Sequence, residues 1–271
     1  MVKIFTMVKD ELDIVIDWVI YHGHIFGFSN LYIIDNYSSD GTYEALKKMK
    51  EEFKINVIQL PDYKKKGLYM TFFMRNICNN ELAFPIDIDE FIVCYNKNTN
   101  KISCNKETFF MELSHLPRVP VYKMNYIQSK ILIPNGYKRA TVESKYGKYD
   151  DRKQFAKSFF HSTLFKGIID HGNHYRTTNY CLSNFCLVHF HTRNIEQIKL
   201  KVHNNVSGLG HDPSDINKLR QILIESPVTE GHHHISKQIE ILEGNFNITK
   251  DKYEDNFISL APLNSLIDSL I

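Results

Sequence analysis

The stretch AFPIDIDEFIV (83–93) sets three carboxylates, Asp87, Asp89 and Glu90, into an otherwise apolar run. Charged side chains seldom enter a core unless they are paired or bound to a cation. An apolar run that ends in acids reads as a buried strand whose carboxyl end opens onto a ligand. The strand is expected over LAFPIDID (82–89), where alternation sends Asp87 and Asp89 to one face. Glu90 then points elsewhere and starts the next segment or orients a neighbour.

The residues upstream decide what sheet this strand joins. Before it come a helix in YMTFFMRNICNNE, a basic loop DYKKKG, a strand INVIQL (55–60) and a helix in YEALKKMKEEF that Asp40 caps. Earlier still are the turn NYSSDGT, the short apolar strand LYIID (31–35) and the opening strand VKIFTMV (2–8). Between the last two, Leu12, Val15, Val19 and Phe26 trace a helical face that ends at Gly27, with Asp10 as its expected N-cap. Strands alternating with helices predict parallel βαβ units with right-handed crossovers. Ligands bind beyond the carboxyl ends of such strands, which gathers Lys9, DNYSSDGT and DIDE on one rim.

After residue 94 the pattern changes. A polar loop YNKNTNK precedes an amphipathic helix near 106–116, and RVPVYKMNYI, KRATVES and QFAKSFFHSTLF read as β-like segments. NFCLVHFHT is another strand, a helix follows in NIEQIKLKVHNN, and the tail reads as two or more helices. With no internal repeat and no low-complexity linker, residues 1–210 are expected to form one domain with halves at 1–94 and 95–210, and 211–271 a helical C-terminal extension.

Composition narrows the function classes. The 271 residues are 43% hydrophobic and 24% charged, as in ordinary soluble proteins, and a net charge of +2 gives no basic field for nucleic acid or an anionic membrane. The five cysteines are odd in number and lack paired zinc spacing, which suits a reducing compartment. The opening MVKIFTMVKDELD is not a signal peptide, and no apolar run approaches a membrane span. The expectation is a soluble, cytoplasmic protein without an anchor in this chain.

Each candidate site has an ordinary alternative. Asp87 and Asp89 suit Mg²⁺ or Mn²⁺ held together with a substrate diphosphate, and otherwise form a solvated acidic cluster. Asp35 at a strand end suits a nucleobase or ribose, whereas turn chemistry alone also explains DNYSSDGT. Arg75 suits a phosphate or an acidic ligand, though a helix-surface arginine is commoner. His189 and His191 in LVHFHT share a strand face, with Phe190 directed opposite, and one suits completing a metal site begun by Asp89. The ordinary alternative is a hydrogen-bonded pair. HHH (232–234) reads as a solvated loop, as does KKKG (64–67) unless it attracts phosphates, and Lys157 suits a phosphate. The chain has no H-E-x-x-H and no G-x-x-x-x-G-K-[ST], and GLGHD (208–212) lacks the context of a dinucleotide fingerprint.

These pieces occur in the order of a known pattern. MVKDELDIVIDWVIYHGHIFGFSNLYIIDNYSSDGT and MRNICNNELAFPIDIDEFI resemble the opening and the D-x-D segment of family-2-like and family-92 glycosyltransferases. VYKMNYIQS, AKSFF, His171 and HFH fall where that family has a strand, a K-S-I-like strand, a histidine and a metal-binding strand. The resemblance is clear over about 1–94, thinner to about 203 and absent in the tail. It departs at Asp10 for the usual Asn, Tyr37 for Gly and Tyr122 for Trp.

The resemblance implies a GT-A fold, Rossmann-like with a mostly parallel central sheet and flanking helices. Its nucleotide-sugar-binding half would be 1–94 and its acceptor half 95–210. It implies a nucleotide-sugar donor, UDP-sugar favoured, and a hydroxyl acceptor on a glycan, glycoconjugate or protein. By analogy Asp35 meets base or ribose, Arg75 the diphosphate or ribose, Asp87 ribose or metal, and Asp89 Mn²⁺ or Mg²⁺ with His189 or His191. Lys9, Lys157 and Arg75 add positive charge around the donor. Inverting transfer needs a carboxylate base; Asp170, beside His171, is the candidate, with Asp150 and Asp151 as rivals. A nucleotidyltransferase and a non-catalytic nucleotide- or carbohydrate-binding module remain the alternatives.

Overall fold

The computed structural model describes residues 2–129, 139, 141, 144–152, 156–191, 193–225, 231–246 and 257–271. Most of KRATVES lies outside them. The N-terminal half runs β1 (Val2–Val8), α1 (Val15–Phe26), β2 (Leu31–Asp35), α2 (Thr42–Phe53), β3 (Asn56–Gln59), α3 (Lys66–Ile77) and β4 (Leu82–Pro85). β5 (Glu90–Asn96), β6 (Lys101–Ser103), α4 (Lys106–His115), β7 (Val121–Ser129), β8 (Tyr146–Asp150), β9 (Lys157–His161) and β10 (Cys181–His189) follow. The tail is α5 (Ile195–Gly208), α6 (Ile216–Glu225), α7 (His232–Leu242), β11 (Ile258–Ser259) and α8 (Ala261–Leu270).

The sheet order is β3-β2-β1-β4-β9-β7-β10-β5-β6, with β8 joining β7 to β11. β3, β2, β1 and β4 are all parallel, the outcome that three successive βαβ units dictate. Beyond β4 the neighbours are antiparallel except for the β7–β10 pair. This is the α/β plan expected of a GT-A fold: a Rossmann-like parallel half with flanking helices, continued into a mixed half.

β1 is nearly all apolar because both its faces are covered. Ile4 and Val8 join the core beneath α1 and α2, while Phe5 and Met7 pack with Met70 and Met74 of α3 on the other face. α1 is fixed to β5 by polar contacts as well as burial: Trp18 Nε1 donates to Glu90 O at 3.0 Å and the Tyr21 hydroxyl to Ile92 O at 2.6 Å. Both rings are fully buried, and each side chain of this size contributes roughly 1.5–3 kcal/mol or more. The tail is not purely helical. β11 pairs with β8, and Leu263 and Ile267 of α8 enter the main core.

Two local expectations change. Asp10 does not cap α1, which begins at Val15 without a side-chain cap. Its carboxylate accepts from Ser39 N at 2.6 Å and Asn204 Nδ2 at 3.0 Å, because the loop after β1 is buried and its polar groups need partners there. HHH is not a loop: His232–His234 open α7, directly after Gly231 at φ 81°. Among the described residues all five cysteines are free thiols. No helix among them is long and apolar enough to cross a membrane.

Candidate active site

A cavity of about 780 Å³ opens at the carboxyl ends of the parallel strands, lined by Lys9, Asn36, Asp87, Ile88 and Asp89 among others. The D-x-D acids reach it by a route that strand alternation did not foresee. β4 stops at Pro85, with one last bond to β1 from Ile86 N to Phe5 O at 3.0 Å, and 87–90 form a turn closed by Glu90 N donating to Asp87 O at 3.1 Å. Asp87 and Asp89 therefore share the cavity as turn residues rather than as one face of a strand. Glu90 orients its neighbour as expected: Oε2 accepts from Asp87 N at 2.8 Å, while Oε1 accepts from the Tyr126 hydroxyl at 2.9 Å.

Asp87 is held by cations of the chain itself. Lys157 Nζ donates to Oδ2 at 2.8 Å, and Oδ1 accepts from Lys66 Nζ and, at 2.9 Å, from Asn173 Nδ2. Burial works against its charge, but the Lys157 and Lys66 ammoniums hold the carboxyl well below the usual carboxylate range. Lys157 also donates to Gly172 O at 2.8 Å and lies 3.0 Å from Glu90 Oε1. Lys66 is not in a solvated loop. It is the first residue of α3, with only 4% of its surface exposed.

Asp89 gathers a different set. His189 Nε2 lies 3.4 Å from Asp89 Oδ2, and single ligand atoms of Asp89, His189 and His191 all lie within 4.8 Å of one another. The end of β10 is pinned to the turn by Phe190 N donating to Asp89 O at 2.9 Å, while the Phe190 ring packs edge-on against Phe91 in the core. His189 Nδ1 stands 3.0 Å from Gln128 Oε1. Lys201 of α5 also pairs with Asp89 Oδ2. Burial opposes the Asp89 charge, but Lys201 and then His189 keep the carboxyl well below its ordinary range. Burial, followed by Lys201 and His189, holds His191 neutral.

One buried carboxylate and two imidazoles make a donor set that fits a first-row divalent ion. Mixed nitrogen and oxygen ligands suit Mn²⁺ better than Mg²⁺, which prefers oxygen alone. Asp87, by contrast, has both oxygens engaged by lysines and is not among the clustered ligand atoms.

The wall opposite the turn comes from α5 and the tail. Arg193, 1% exposed, pairs with Glu11 and, at 2.7 Å, with Asp13, which burial pushes up to about 6. Gln197 Nε2 donates to Asp10 O at 2.8 Å. Lys201, Asn204, Asn205, Gly208, Gly210, His233 and His234 line the cavity from this side. Burial and then His233 bring His234 down to about 3.

Four expected site residues stand outside the cavity lining: Lys157, whose ammonium is spent on Asp87, Glu90 and Gly172 O, and Asp35, Arg75 and Asp170. Asp35 is fully buried and spends its oxygens on its own surroundings, accepting from Gln59 Nε2 at 2.9 Å and Ser38 N at 3.2 Å. Arg75 is exposed and donates to the carbonyls of Lys166 and Gly167. Asp170 Oδ1 accepts from His174 N at 2.7 Å and shapes the turn that carries His171 and Gly172 into the lining. Lys9 does line the cavity, its ammonium on the carbonyls of Asn36 and Tyr37 at 3.1 Å each. The rival Asp150 pairs with Arg152. Asp10 and Tyr37, where the resembled family has Asn and Gly, both take positive φ, 54° and 55°, a region those replaced residues tolerate well.

Sequence reasoning missed Lys201, His233 and His234 in the lining and Arg193 behind it, and raised Lys66 only as part of a basic loop that could attract phosphates. The spacing of Gln197, Lys201 and Asn204 on one helical face was a usable signal for α5.

No protein-family model and no curated protein matches the chain. Among solved structures it is similar to S. aureus TarS 1–349, with TM-score 0.40 and 10% identity over 90% of this chain and 71% of that one. The same TarS fragment in complex with UDP-GlcNAc gives TM-score 0.37 and 10% identity over 90% and 72%. A longer TarS structure gives 0.39 and 10% identity, with 90% of this chain but 43% of that one covered. Likeness at this level transfers no residue roles.

Proposed function

We propose that the protein is a metal-dependent glycosyltransferase that moves a sugar from a nucleotide-sugar donor, UDP-sugar favoured, to a hydroxyl acceptor with inversion. The observation that carries the reading is the meeting of Asp89, His189 and His191 at the carboxyl ends of the parallel strands. They meet in a cavity of about 780 Å³, large enough for a nucleotide sugar.

Asp89, His189 and His191 would hold the ion, which when bound supplies Lewis-acid stabilisation of a departing diphosphate. Glu90 and Asn173 orient Asp87, and Asp87 in turn fixes Lys66, whose ammonium borders the cavity as a preorganised positive charge. Lys9 adds a second charge from the first strand's end. Asp35 and Arg75, outside the lining, fit roles in shaping the rim rather than direct contact. Asp170 is the proposed base for the acceptor hydroxyl because its neighbours His171 and Gly172 border the cavity.

The test is turnover: purified protein with Mn²⁺, offered a panel of UDP- and GDP-sugars and assayed for binding and for nucleotide release. Binding and release with one nucleotide class, both lost in Asp89→Ala, support the proposal. Neither binding nor release with any donor overturns it. Binding without release indicates the non-catalytic module instead.

A further inference from the structure

The oxygen of Asp89 nearest the histidines is already taken. Lys201 Nζ pairs with Oδ2, the same oxygen that faces His189 Nε2 at 3.4 Å. This ammonium is not a loose surface group. Gln197 and Asn204, which flank Lys201 on the same face of α5, are bonded to Asp10, and Arg193 just before the helix is buried on Glu11 and Asp13. Four contacts thus clamp this face of α5 to the loop after β1 and deliver Lys201 to the cavity, where its side chain is 23% exposed.

We propose that Lys201 is a tethered cation that competes with the divalent ion for Asp89 and so sets the ion concentration at which the site loads. The inference rests on Asp89 being an ion ligand. An ammonium and a divalent ion on one carboxylate oxygen oppose each other, since like charges so close repel strongly in a buried site. Loading the ion therefore works against the Lys201 contact with Oδ2 and favours its displacement. Until then Lys201 compensates a carboxylate that is 1% exposed and otherwise costly to leave charged. The displaced ammonium stays in a cavity it already lines, next to any anionic ligand bound there.

Mn²⁺ alone, titrated calorimetrically into wild type, Lys201→Met, Lys201→Gln, Lys201→Arg and Asp89→Ala, tests this. Removing the compensating charge should tighten Mn²⁺ binding by about tenfold or more in Lys201→Met and Lys201→Gln. Lys201→Arg, which keeps a cation on Asp89, should stay near wild type, and Asp89→Ala should not bind. Unchanged or weaker binding in both neutral variants, or tightening in Lys201→Arg as well, overturns the competition while leaving Asp89 as a ligand. Absence of Mn²⁺ binding in every protein overturns both readings.

Discussion

Lys157 Nζ, delivered by a strand of the second half, donates to Asp87 Oδ2 at 2.8 Å in the first half. Its side chain is 1% exposed, and Glu90, likewise 1% exposed, lies 3.0 Å away. One ammonium therefore compensates two carboxylates in a poorly solvated place, and it stays charged because their attraction outweighs its own burial. Taking it away leaves buried negative charge without a partner. Lys157→Met should destabilise the protein by about 3–5 kcal/mol. In denaturant titrations this appears as a lowered midpoint with unchanged slope. A loss under about 1 kcal/mol would mean that Lys66 alone suffices for Asp87.

The two aspartates of D-x-D should behave differently toward metal. Asp89→Ala removes a member of the Asp89, His189, His191 cluster and should abolish measurable Mn²⁺ binding. Gln128 is not itself a member of the cluster, yet its Oε1 orients His189 through Nδ1 at 3.0 Å. Gln128→Ala should weaken Mn²⁺ affinity by about 10-fold or more, the usual effect of losing such an orienting bond. Asp87→Asn should change Mn²⁺ affinity far less than Asp89→Ala. Calorimetry on the four proteins ranks them directly, and equal losses for Asp87→Asn and Asp89→Ala would contradict the division of roles.

Why was some of this legible from residue order and some not? The parallel half was readable because β1 and β2 are continuous apolar runs between amphipathic helices, a strictly local signal. The rim followed from chain direction, and His189 from its place near a strand end. What failed was local geometry after Pro85, where the strand ends short of D-x-D and leaves it in a turn. Long-range pairing left no trace either: Arg193 with Glu11, or Lys201 with Asp89, joins residues that only the finished fold brings together. The histidines of 232–234 were misread because the Pro, Ser and Gly before them mark a loop but not where it ends. Asp35 shows the reverse error, a carboxylate whose strand-end position suggested a ligand while Ser38 and Gln59 already occupied it.

Gly67 is required by packing rather than by backbone freedom. A Cβ at this position in α3 would lie 2.3 Å from Ile169 O and 2.9 Å from Asp170 O. Both are backbone atoms of the segment that leads into His171, so neither can rotate aside. Gly67→Ala should therefore destabilise by about 1–3 kcal/mol, against the stabilisation Ala ordinarily brings to a helix. Thermal melts of this variant check the sign: a raised melting temperature would show that the 166–170 segment yields easily.

His22 supplies the pH dependence that can be assigned to one group. Its Nδ1 lies 2.9 Å from Trp18 O, and Ile92 N donates to Nε2 at 3.2 Å. The ring is thus neutral with the proton on Nδ1, because protonating Nε2 would set two N–H groups against each other. Burial brings its pKa down from 6.5 to about 3 in the folded protein. Between those values the unfolded chain binds a proton that the folded one refuses, so stability rises with pH and is lost as pH falls below about 6.5. The contribution of this one group is about 1.4 kcal/mol per pH unit across that window. His22→Gln should lower stability at pH 7 through imperfect replacement of a fully buried ring, yet show a shallower loss between pH 6 and 4. Denaturant midpoints of both proteins at several pH values measure the difference in slope. Parallel curves for wild type and variant would show that His22 takes up its proton without cost in the folded state.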